Sequence, residues 1–322
     1  MWPARAPAAA SLSGAGSTLV APLVAEWAAA FQAFHGTSVT YYPVGSQAGI
    51  NDISARLVDF GASDAPMTSA QRTACHSCYQ IPWALSAIGI SYHVNGLRPS
   101  LYLNGEVLAQ IYLGHISRWN DRRIRALNPR ASLPNLKITP IYATGSGATY
   151  AFTLYLSKTS ANWRDSVGYG LTASFPTGIG TNSPSAAAAL LQSTNGAIGY
   201  LGASYLIADR LPAAAIENSA GRFEYPNLTE IESAGRTVRR VPASNALPIV
   251  DPPSSARTAY PIATFSYVIV PGNAPHKADL EQWISYGLGA GQGFGPSLDF
   301  AQLPPNIMRA STATLSRFVS AQ

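Results

Sequence analysis

Residues 14–49 read GAGSTLVAPLVAEWAAAFQAFHGTSVTYYPVGSQAG, and this stretch determines the predicted fold. Its first half predicts a helix over Thr18–Phe34, because apolar residues recur there at helical spacing, namely Leu23, Trp27, Phe31 and Phe34. Ser17 or Thr18 is expected to cap the start of this helix. The second half, Ser38–Val44, is rich in β-branched and aromatic residues and therefore predicts a strand.

The alternation of helices and strands continues along the chain. Ser86–Val94 and Ala259–Val270 predict long, buried strands, and Val58–Ala62 predicts a short one. Helices are expected at Ile50–Leu57 and Ala148–Ser157, each after a loop that contains glycine. This order predicts an α/β fold with mostly parallel sheets.

Length and composition narrow the class of protein. The chain has 322 residues, which suits two domains or one large one, and 47% of them are hydrophobic, which excludes global disorder. Only 11% are charged, against about 25% in an average soluble protein, and this favours an extracytoplasmic protein. The net charge of +5 favours anionic ligands, but the basic residues are scattered, so no nucleic-acid partner is expected.

Neither a membrane helix nor an export leader is predicted. No apolar run reaches the length of about 20 residues that a transmembrane helix needs. The N-terminal segment Met1–Ala10 has no apolar core of the kind found in signal peptides, so we expect either that a leader is not part of this chain or that the protein is not exported by that route.

Cys75 and Cys78 are the two cysteines of the chain, and three interpretations of their C-x-x-C spacing stay open. They could form a small structural disulfide, remain free thiols, or take part in redox or metal chemistry. A c-type haem site is excluded because Tyr79 stands where histidine would be needed. The histidines lack metal-like spacing and no Gly-x-Ser-x-Gly motif is present, so we predict no catalytic residue, no metal and no cofactor.

Three small polar loops precede predicted helices. They are Gly14–Thr18, Gly45–Gly49 and Gly145–Thr149, and each combines glycine with a hydroxyl group. The first N–H groups of a helix lack partners within the helix, so such loops can bind an anion through backbone donors and the helix dipole. Each loop could instead be a simple helix cap. None has the Gly-Lys-Ser/Thr ending of a P-loop.

A fourth segment, residues 58–67 with the sequence VDFGASDAPM, places Asp64 at the end of a short strand. Asp64 could be an ordinary turn or helix-capping residue. It could also be a carboxylate in a cleft that accepts a hydrogen bond from a protonated ligand oxygen.

Together these four segments resemble those of the phosphate-binding proteins of high-affinity phosphate ABC importers. Ile111–Ile116 and Gly196–Tyr200 are similar to that family as well, and the similarity extends from about residue 12 to about residue 306. The resemblance implies a two-lobed, periplasmic-binding-protein-like fold of type II with a hinge of crossing strands. The first lobe would comprise residues 1–92 and 267–322, and the second residues 93–266.

The resemblance also implies a function and a set of site residues. The chain would be a monomeric extracytoplasmic solute-binding protein that delivers phosphate or a related oxyanion to an ABC transporter permease. It would not be an enzyme. The ligand would be held by hydroxyl groups, backbone N–H groups and one carboxylate, at Thr18, Leu19, Ser46 and Asp64 in the first lobe and at Ser146, Gly147 and Ala148 in the second.

One part of the family's site has no counterpart here. The family carries an arginine and a second carboxylate just before the Gly-Ser-Gly loop, and this chain has Tyr142-Ala143-Thr144. Three hypotheses are compatible with this gap. Arg72 or Arg56 could replace the missing cation; Asp64 could be partly protonated, which would weaken selectivity against sulfate; or the site could be degenerate, so that the protein binds another small ligand or acts as a surface protein.

Overall fold

The computed structural model describes residues 11–97 and 100–321. The Met1–Ala10 segment, and with it the beginning of the predicted first lobe, lies outside the described residues. So do residues 98, 99 and 322.

In the part of the chain that the structure describes, the strands form two sheets. In chain order the strands are β1 (Ser11–Gly16), β2 (Ser38–Tyr42), β3 (Phe60–Ser63), β4 (Cys78–His93), β5 (Tyr102–Leu103), β6 (Thr139–Ala143), β7 (Ile179–Thr181), β8 (Ala197–Gly202), β9 (Ala215–Glu217), β10 (Phe223–Glu224) and β11 (Ala263–Pro271).

Helices follow most strands. They are α1 (Ala21–His35), α2 (Ser46–Ser54), α3 (Ser69–Ala74), α4 (Gly105–Tyr112), α5 (Arg122–Leu127), α6 (Gly147–Thr159), α7 (Ala161–Ser166), α8 (Pro184–Ser193), α9 (Ala203–Ala208), α10 (Leu228–Gly235), α11 (Lys277–Leu288) and α12 (Pro305–Ser320). Two short 3₁₀ turns, Ala290–Phe294 and Pro296–Leu298, separate α11 from α12.

The main sheet has eight strands in the order β2-β1-β3-β11-β4-β8-β6-β7. Its two ends are parallel: β1 pairs with β2 and β3, and β6 pairs with β7 and β8. Its centre is antiparallel, because β11 pairs with β3 and β4, and β4 pairs with β8. The α/β prediction is therefore confirmed, whereas the expectation of mostly parallel pairing holds only for the outer strands. A second sheet has the order β10-β9-β5.

Strand β4 belongs to both halves of the main sheet. Its first part, from Cys78 to Ala87, pairs with β11, and its second part, from Ile88 to His93, pairs with β8. The predicted lobe boundaries fall inside β4 and β11, and the one register shift in the β4–β11 pairing lies at Ser266/Tyr267. We use the term β1 half for β1, β2, β3 and β11 with α1 and α2, and the term β8 half for β6, β7 and β8 with α6, α8 and α9.

The sequence located most elements but not all their ends. Helix α1 begins at Ala21 instead of Thr18 and its N-cap is Val20, so neither Ser17 nor Thr18 is the N-cap residue. Ser17 lies three residues before Val20, and its Oγ accepts the N–H of Val20 at 3.2 Å. Helix α2 begins at Ser46, earlier than the predicted residue 50. Strand β4 begins at Cys78, because its first residues pair with β11 over a length that the local sequence does not reveal.

Aromatic side chains join the β1 half to the first part of β4 and to α11. The rings of Trp27, Trp83 and Trp283 lie 5.2–6.3 Å apart in edge-to-face arrangements, and Phe31 and Phe60 contact them. All five side chains are fully buried. Truncating one such ring to alanine typically costs about 3–5 kcal/mol, so this cluster holds α1 and α11 rigidly on the sheet.

The two cysteines form a disulfide, with Cα atoms 5.6 Å apart. The free-thiol and metal interpretations were therefore wrong. Among the described residues there is no group of three or more His, Cys, Asp or Glu side chains that could hold a metal ion. Within the same residues, no helix has the length and apolar character needed to cross a bilayer.

Candidate functional site

The site lies where the parallel strands end. The carboxyl ends of β1 and β3 are adjacent because the strands are parallel neighbours, and this places Ser17 next to Asp64. In the β8 half, β6 and β8 end beside each other in the same way, which brings the loop before α6 close to α9. In open α/β sheets, ligands bind outside the carboxyl ends of the strands.

Asp64 is a buried carboxylate and neither a surface turn residue nor a helix cap. Its side chain is 1% exposed. The Ser17 hydroxyl lies 2.7 Å from both carboxylate oxygens, and Ser266 donates to Oδ1 at 2.5 Å. Ser46 donates to Oδ2 at 3.3 Å and accepts the backbone N–H of Asp64 at 3.2 Å. Three hydroxyl donors suit an ionised carboxylate, which can only accept.

Burial raises the pKa of Asp64 to about 6, and the hydroxyl donors Ser17, Ser266 and Ser46 oppose that rise. Within residues 11–97 and 100–321, no basic side chain takes part in this network. Arg72 donates to the Met67 carbonyl at 2.7 Å, and Arg56 donates to the carbonyls of Ile53 and Cys75. In this structure neither arginine replaces the family's cation.

Two helices point their first turns at the site. Gly45, with φ of 95°, is the N-cap of α2, and Ser46 is the first helical residue. Ser146 is the N-cap of α6, and its Oγ accepts the N–H of Ala148 at 3.1 Å. The Ser146 side chain is more than nine-tenths buried, and its own hydroxyl hydrogen has no protein acceptor among the described residues. Both helix starts therefore offer donors for an anion.

The β1 half and the β8 half touch across the site. A Cβ added to Gly147 would overlap Asp64 Oδ2, so α6 begins directly against the carboxylate. The N–H of Gln47 donates to the Gly145 carbonyl at 3.2 Å, and the Tyr205 hydroxyl donates to the Thr18 carbonyl at 2.8 Å. These contacts join the two sides of the cleft that lies between the halves.

Leu19 crosses the same cleft. Its side chain is 2% exposed and lies against Gly202 at the end of β8, where an added Cβ would overlap Leu19 Cδ1. Glycine at position 202 therefore leaves the space that the Leu19 side chain occupies, and we call this contact the notch between Leu19 and Gly202. The sequence predicts a backbone contribution alone from Leu19, and the contact made by its side chain is a finding of the structure.

A small cavity of about 30 Å³ lies between the two halves. Four of the seven predicted site residues line it: Thr18, Leu19, Ser146 and Ala148. The other three, Ser46, Asp64 and Gly147, do not line the cavity, although Gly45 does and Gly147 lies between Ser146 and Ala148. These three belong to the buried network at the junction of the two halves. Among the described residues, no Asp, Glu, Lys, Arg or His side chain belongs to the lining.

Comparison with known proteins identifies the family. A family model described as a PBP superfamily domain matches residues 3–290. The phosphate-binding protein PstS of Xylella fastidiosa (strain Temecula1 / ATCC 700964) is 33% identical over 306 residues, which cover 92% of this chain and 83% of that protein. The chain belongs to the PstS family of phosphate-binding proteins.

Solved structures agree on the fold. The phosphate-binding protein from Stenotrophomonas maltophilia superimposes with a TM-score of 0.72 at 17% identity, over 95% of this chain and 94% of that chain. An ABC-type phosphate transport receptor from Vibrio cholerae gives a TM-score of 0.60 at 18% identity, over 91% and 100% of the two chains. The predicted periplasmic-binding-protein-like fold is thereby confirmed.

Several residues of this PstS-family site escaped the sequence analysis. Ser17 was considered as a helix cap and as part of an anion-binding loop, whereas its hydroxyl contacts both oxygens of Asp64. Ser266 and Tyr205 come from β11 and α9, far away in the chain, and nothing in their neighbourhood marks them. The need for glycine at position 202 is apparent only from the Leu19 side chain opposite it.

Proposed function

We propose that this chain captures inorganic phosphate between two lobes and delivers it to the permease of an ABC importer. A single arrangement carries the proposal: Gly45 at the start of α2 and Ser146 and Ala148 at the start of α6 line one cavity, and the buried Asp64 lies against the start of α6 directly behind it. Membership of the PstS family supports phosphate as the ligand, since the relative from Xylella fastidiosa carries the name phosphate-binding protein.

The ligand contacts follow from the positions of the donors. Thr18 and Ser146 would donate hydroxyl groups from opposite sides of the cavity, while the N–H groups of Leu19 and Gly147 would supply backbone bonds. The N–H of Ala148, which donates to Ser146 Oγ at 3.1 Å in this structure, would be shared between that oxygen and the ligand. Hydrogen bonds to charged groups contribute about 1.5–3 kcal/mol each, so a few such bonds account for binding without a cation. Ser46 and Asp64 would complete the site from behind.

The division into lobes is part of the same proposal. Residues 1–92 and 267–322 would form one rigid body and residues 93–266 the other, with β4 and β11 as the connections. Access for the ligand requires the contacts of Gln47 with Gly145 and of Tyr205 with Thr18 to break, and these contacts re-form when the cleft closes over the ion. Binding that stabilises the closed form would then signal occupancy to the permease.

We place the protein outside the cytoplasm, as a monomeric binding protein without catalysis. The Cys75–Cys78 disulfide supports an oxidising compartment. The names of the relatives support binding over enzymatic turnover. The degenerate-site hypothesis, in which the chain binds another small ligand or serves as a surface protein, is the alternative that titration with phosphate tests.

Isothermal titration calorimetry with phosphate tests the function. The wild-type chain should bind phosphate, and Ser146→Ala should weaken binding about tenfold to about a hundredfold, because one hydroxyl donor to a charged ligand is lost. Ser160→Ala is the matched control: Ser160 is the buried N-cap of α7 and lies outside the cavity lining. It should lower stability by a similar amount and leave the affinity unchanged. If the wild-type chain releases no binding heat with phosphate, the proposed function is wrong.

A further inference from the structure

The distribution of charge around the cavity differs from what a doubly charged anion needs. The described residues that line the cavity are all uncharged, and the two residues at its rim that precede the Gly145–Gly147 turn are Ala143 and Thr144. The acid that lies against the start of α6 is Asp64, which carries negative charge when it is deprotonated. The site thus offers neutral donors on one side and a carboxylate behind them.

We propose that this site selects a singly charged tetrahedral oxyanion, namely phosphate in its dihydrogen form, and discriminates against the doubly charged form. The inference rests on the proposed function and specifies the ionic form of its ligand. It concerns the charge of the bound ion, whereas the proposed function concerns only which ion is captured.

The physical reason is the cost of burying charge. An ion that leaves water must be compensated by opposite charge or by hydrogen bonds, and the cost grows steeply with its charge. Hydroxyl and backbone donors can compensate one negative charge, as oriented dipoles do at helix starts. A second negative charge would meet no cation among the described lining residues, and above about pH 6 it would also be repelled by the ionised Asp64.

The other groups that face Asp64 do not change this balance. Tyr41 of β2, Tyr205 of α9 and Tyr267 of β11 lie close enough to interact electrostatically with it. Burial raises the pKa of each of these phenols, to about 12 for Tyr205, so all three are neutral at physiological pH. Its further neighbours are uncharged, namely the hydroxyl groups of Ser17, Ser46, Thr264 and Ser266 and the backbone of Gly147.

The protons of a dihydrogen ion also find partners. A hydroxyl group can accept as well as donate, so Ser146 and Thr18 can each accept a ligand O–H. The Tyr205 oxygen, which donates its own hydrogen to the Thr18 carbonyl, retains acceptor capacity, and Tyr205 lines the cavity. A fully ionised ligand oxygen would leave these acceptors unused and would add charge that nothing balances.

Calorimetric titration with phosphate from about pH 5.5 to about pH 8.5 tests the inference in the wild-type chain. If only the singly charged ion binds, the apparent Kd should rise by about tenfold per pH unit once the doubly charged form dominates in solution, because the competent fraction falls in proportion. Sulfate, which is doubly charged throughout this range, should not compete. An apparent Kd that is constant or falls with rising pH overturns the inference while the proposed function stands. No binding at any pH overturns the proposed function itself.

Two variants separate the possible causes of the pH dependence. Asp64→Asn removes the titration of the carboxyl group, so a slope that persists belongs to the ligand and supports the inference. In the wild-type chain, a slope confined to the region around pH 6, where Asp64 titrates, assigns the effect to that carboxyl group and contradicts the inference. Thr144→Arg supplies a cation at the exposed rim and should improve the affinity at pH 8.5 at least tenfold, with a smaller gain at pH 5.5. Thr144→Gln, of similar reach without charge, is the matched control and should keep the wild-type slope.

Discussion

The β1 half and the β8 half build their sides of the site in different ways. In the β1 half a charged group is fully buried, and hydroxyls from three separate segments hold Asp64 in one orientation. In the β8 half, the side of the site is formed by the start of α6 with its N-cap residue Ser146. The nearby residues Ala143 and Thr144 carry no charge. The β1 half therefore contributes the charged group of the cleft, while the β8 half contributes uncharged hydrogen-bond donors.

The difference also concerns preorganisation. The network around Asp64 is satisfied within the β1 half itself and needs no partner from across the cleft. Among the described residues nothing accepts the hydroxyl hydrogen of Ser146, which leaves it available to a ligand. We infer that the β1 half is the rigid side of the site and that most of the binding energy realised on closure comes from the β8 half.

The largest effect is expected where the two halves meet. Gly147→Val places a side chain into the carboxyl group of Asp64, since even a Cβ would overlap Oδ2. The cleft can no longer close, and phosphate affinity should fall by more than about a hundredfold, because several hydrogen bonds at about 1.5–3 kcal/mol each form only in the closed state. Small-angle scattering should show an enlarged radius of gyration.

Gly293→Ala is the control for Gly147→Val, because a Cβ at Gly293 meets no atom within 4 Å. It should bind phosphate like the wild-type chain. Unchanged affinity in Gly147→Val would show that the contact between α6 and Asp64 is not part of the ligand-bound state.

The second prediction concerns the effect of the Asp64 charge on the stability of the fold. At low pH, below the usual Asp pKa of 3.8, Asp64 is protonated in both the folded and the unfolded chain. Between that value and about 6 the folded chain keeps the proton longer, so the stabilisation from protonation is lost as pH rises through about 6. The free energy of unfolding should fall by up to about 3 kcal/mol over this range, since one pKa unit corresponds to about 1.4 kcal/mol.

Urea unfolding of the wild type and Asp64→Asn between about pH 3.5 and pH 7 measures this effect. The variant should lack the decline that Asp64 causes. Asp59→Asn is the control, because Asp59 is a partly buried carboxylate held by Ser13 outside the site. It should keep the wild-type decline. Equal pH profiles for the wild type and Asp64→Asn would show that burial does not perturb Asp64.

The smallest effect tests the notch between Leu19 and Gly202. Gly202→Ala should reduce phosphate affinity by about threefold to tenfold, because the new methyl group meets a movable side-chain end and not the backbone. Adding Leu19→Ala to this variant should restore most of the loss. A double variant that binds no better than Gly202→Ala would show that the two residues do not meet when phosphate is bound.

The sequence revealed local features of the site better than distant ones. The glycine-hydroxyl loops before α2 and α6 are predictable because a helix start leaves its mark in neighbouring residues. The burial of Asp64 is one of two interpretations that local sequence leaves open, since its donors Ser17 and Ser266 lie 47 and 202 positions away. Contacts of that separation depend on strand order, and the antiparallel centre of the sheet was not predicted.

The resemblance to a family supplied what local patterns could not, namely the pairing of the loops into one site. It also exposed the gap at Tyr142-Ala143-Thr144, since an absence is visible only against an expected pattern. The structure shows that neither Arg56 nor Arg72 fills that position, because both are engaged with nearby carbonyl groups.

The pairing of Cys75 with Cys78 has a practical benefit for observing closure. Both cysteines of the chain are consumed in that bond, so a single thiol introduced elsewhere can be labelled selectively. Val44, exposed at the mouth of the cleft, is a suitable position for an environment-sensitive dye. The intrinsic tryptophans within the described residues are buried away from the cavity lining and would report closure poorly, whereas a dye at this position would turn each capture event into a fluorescence signal.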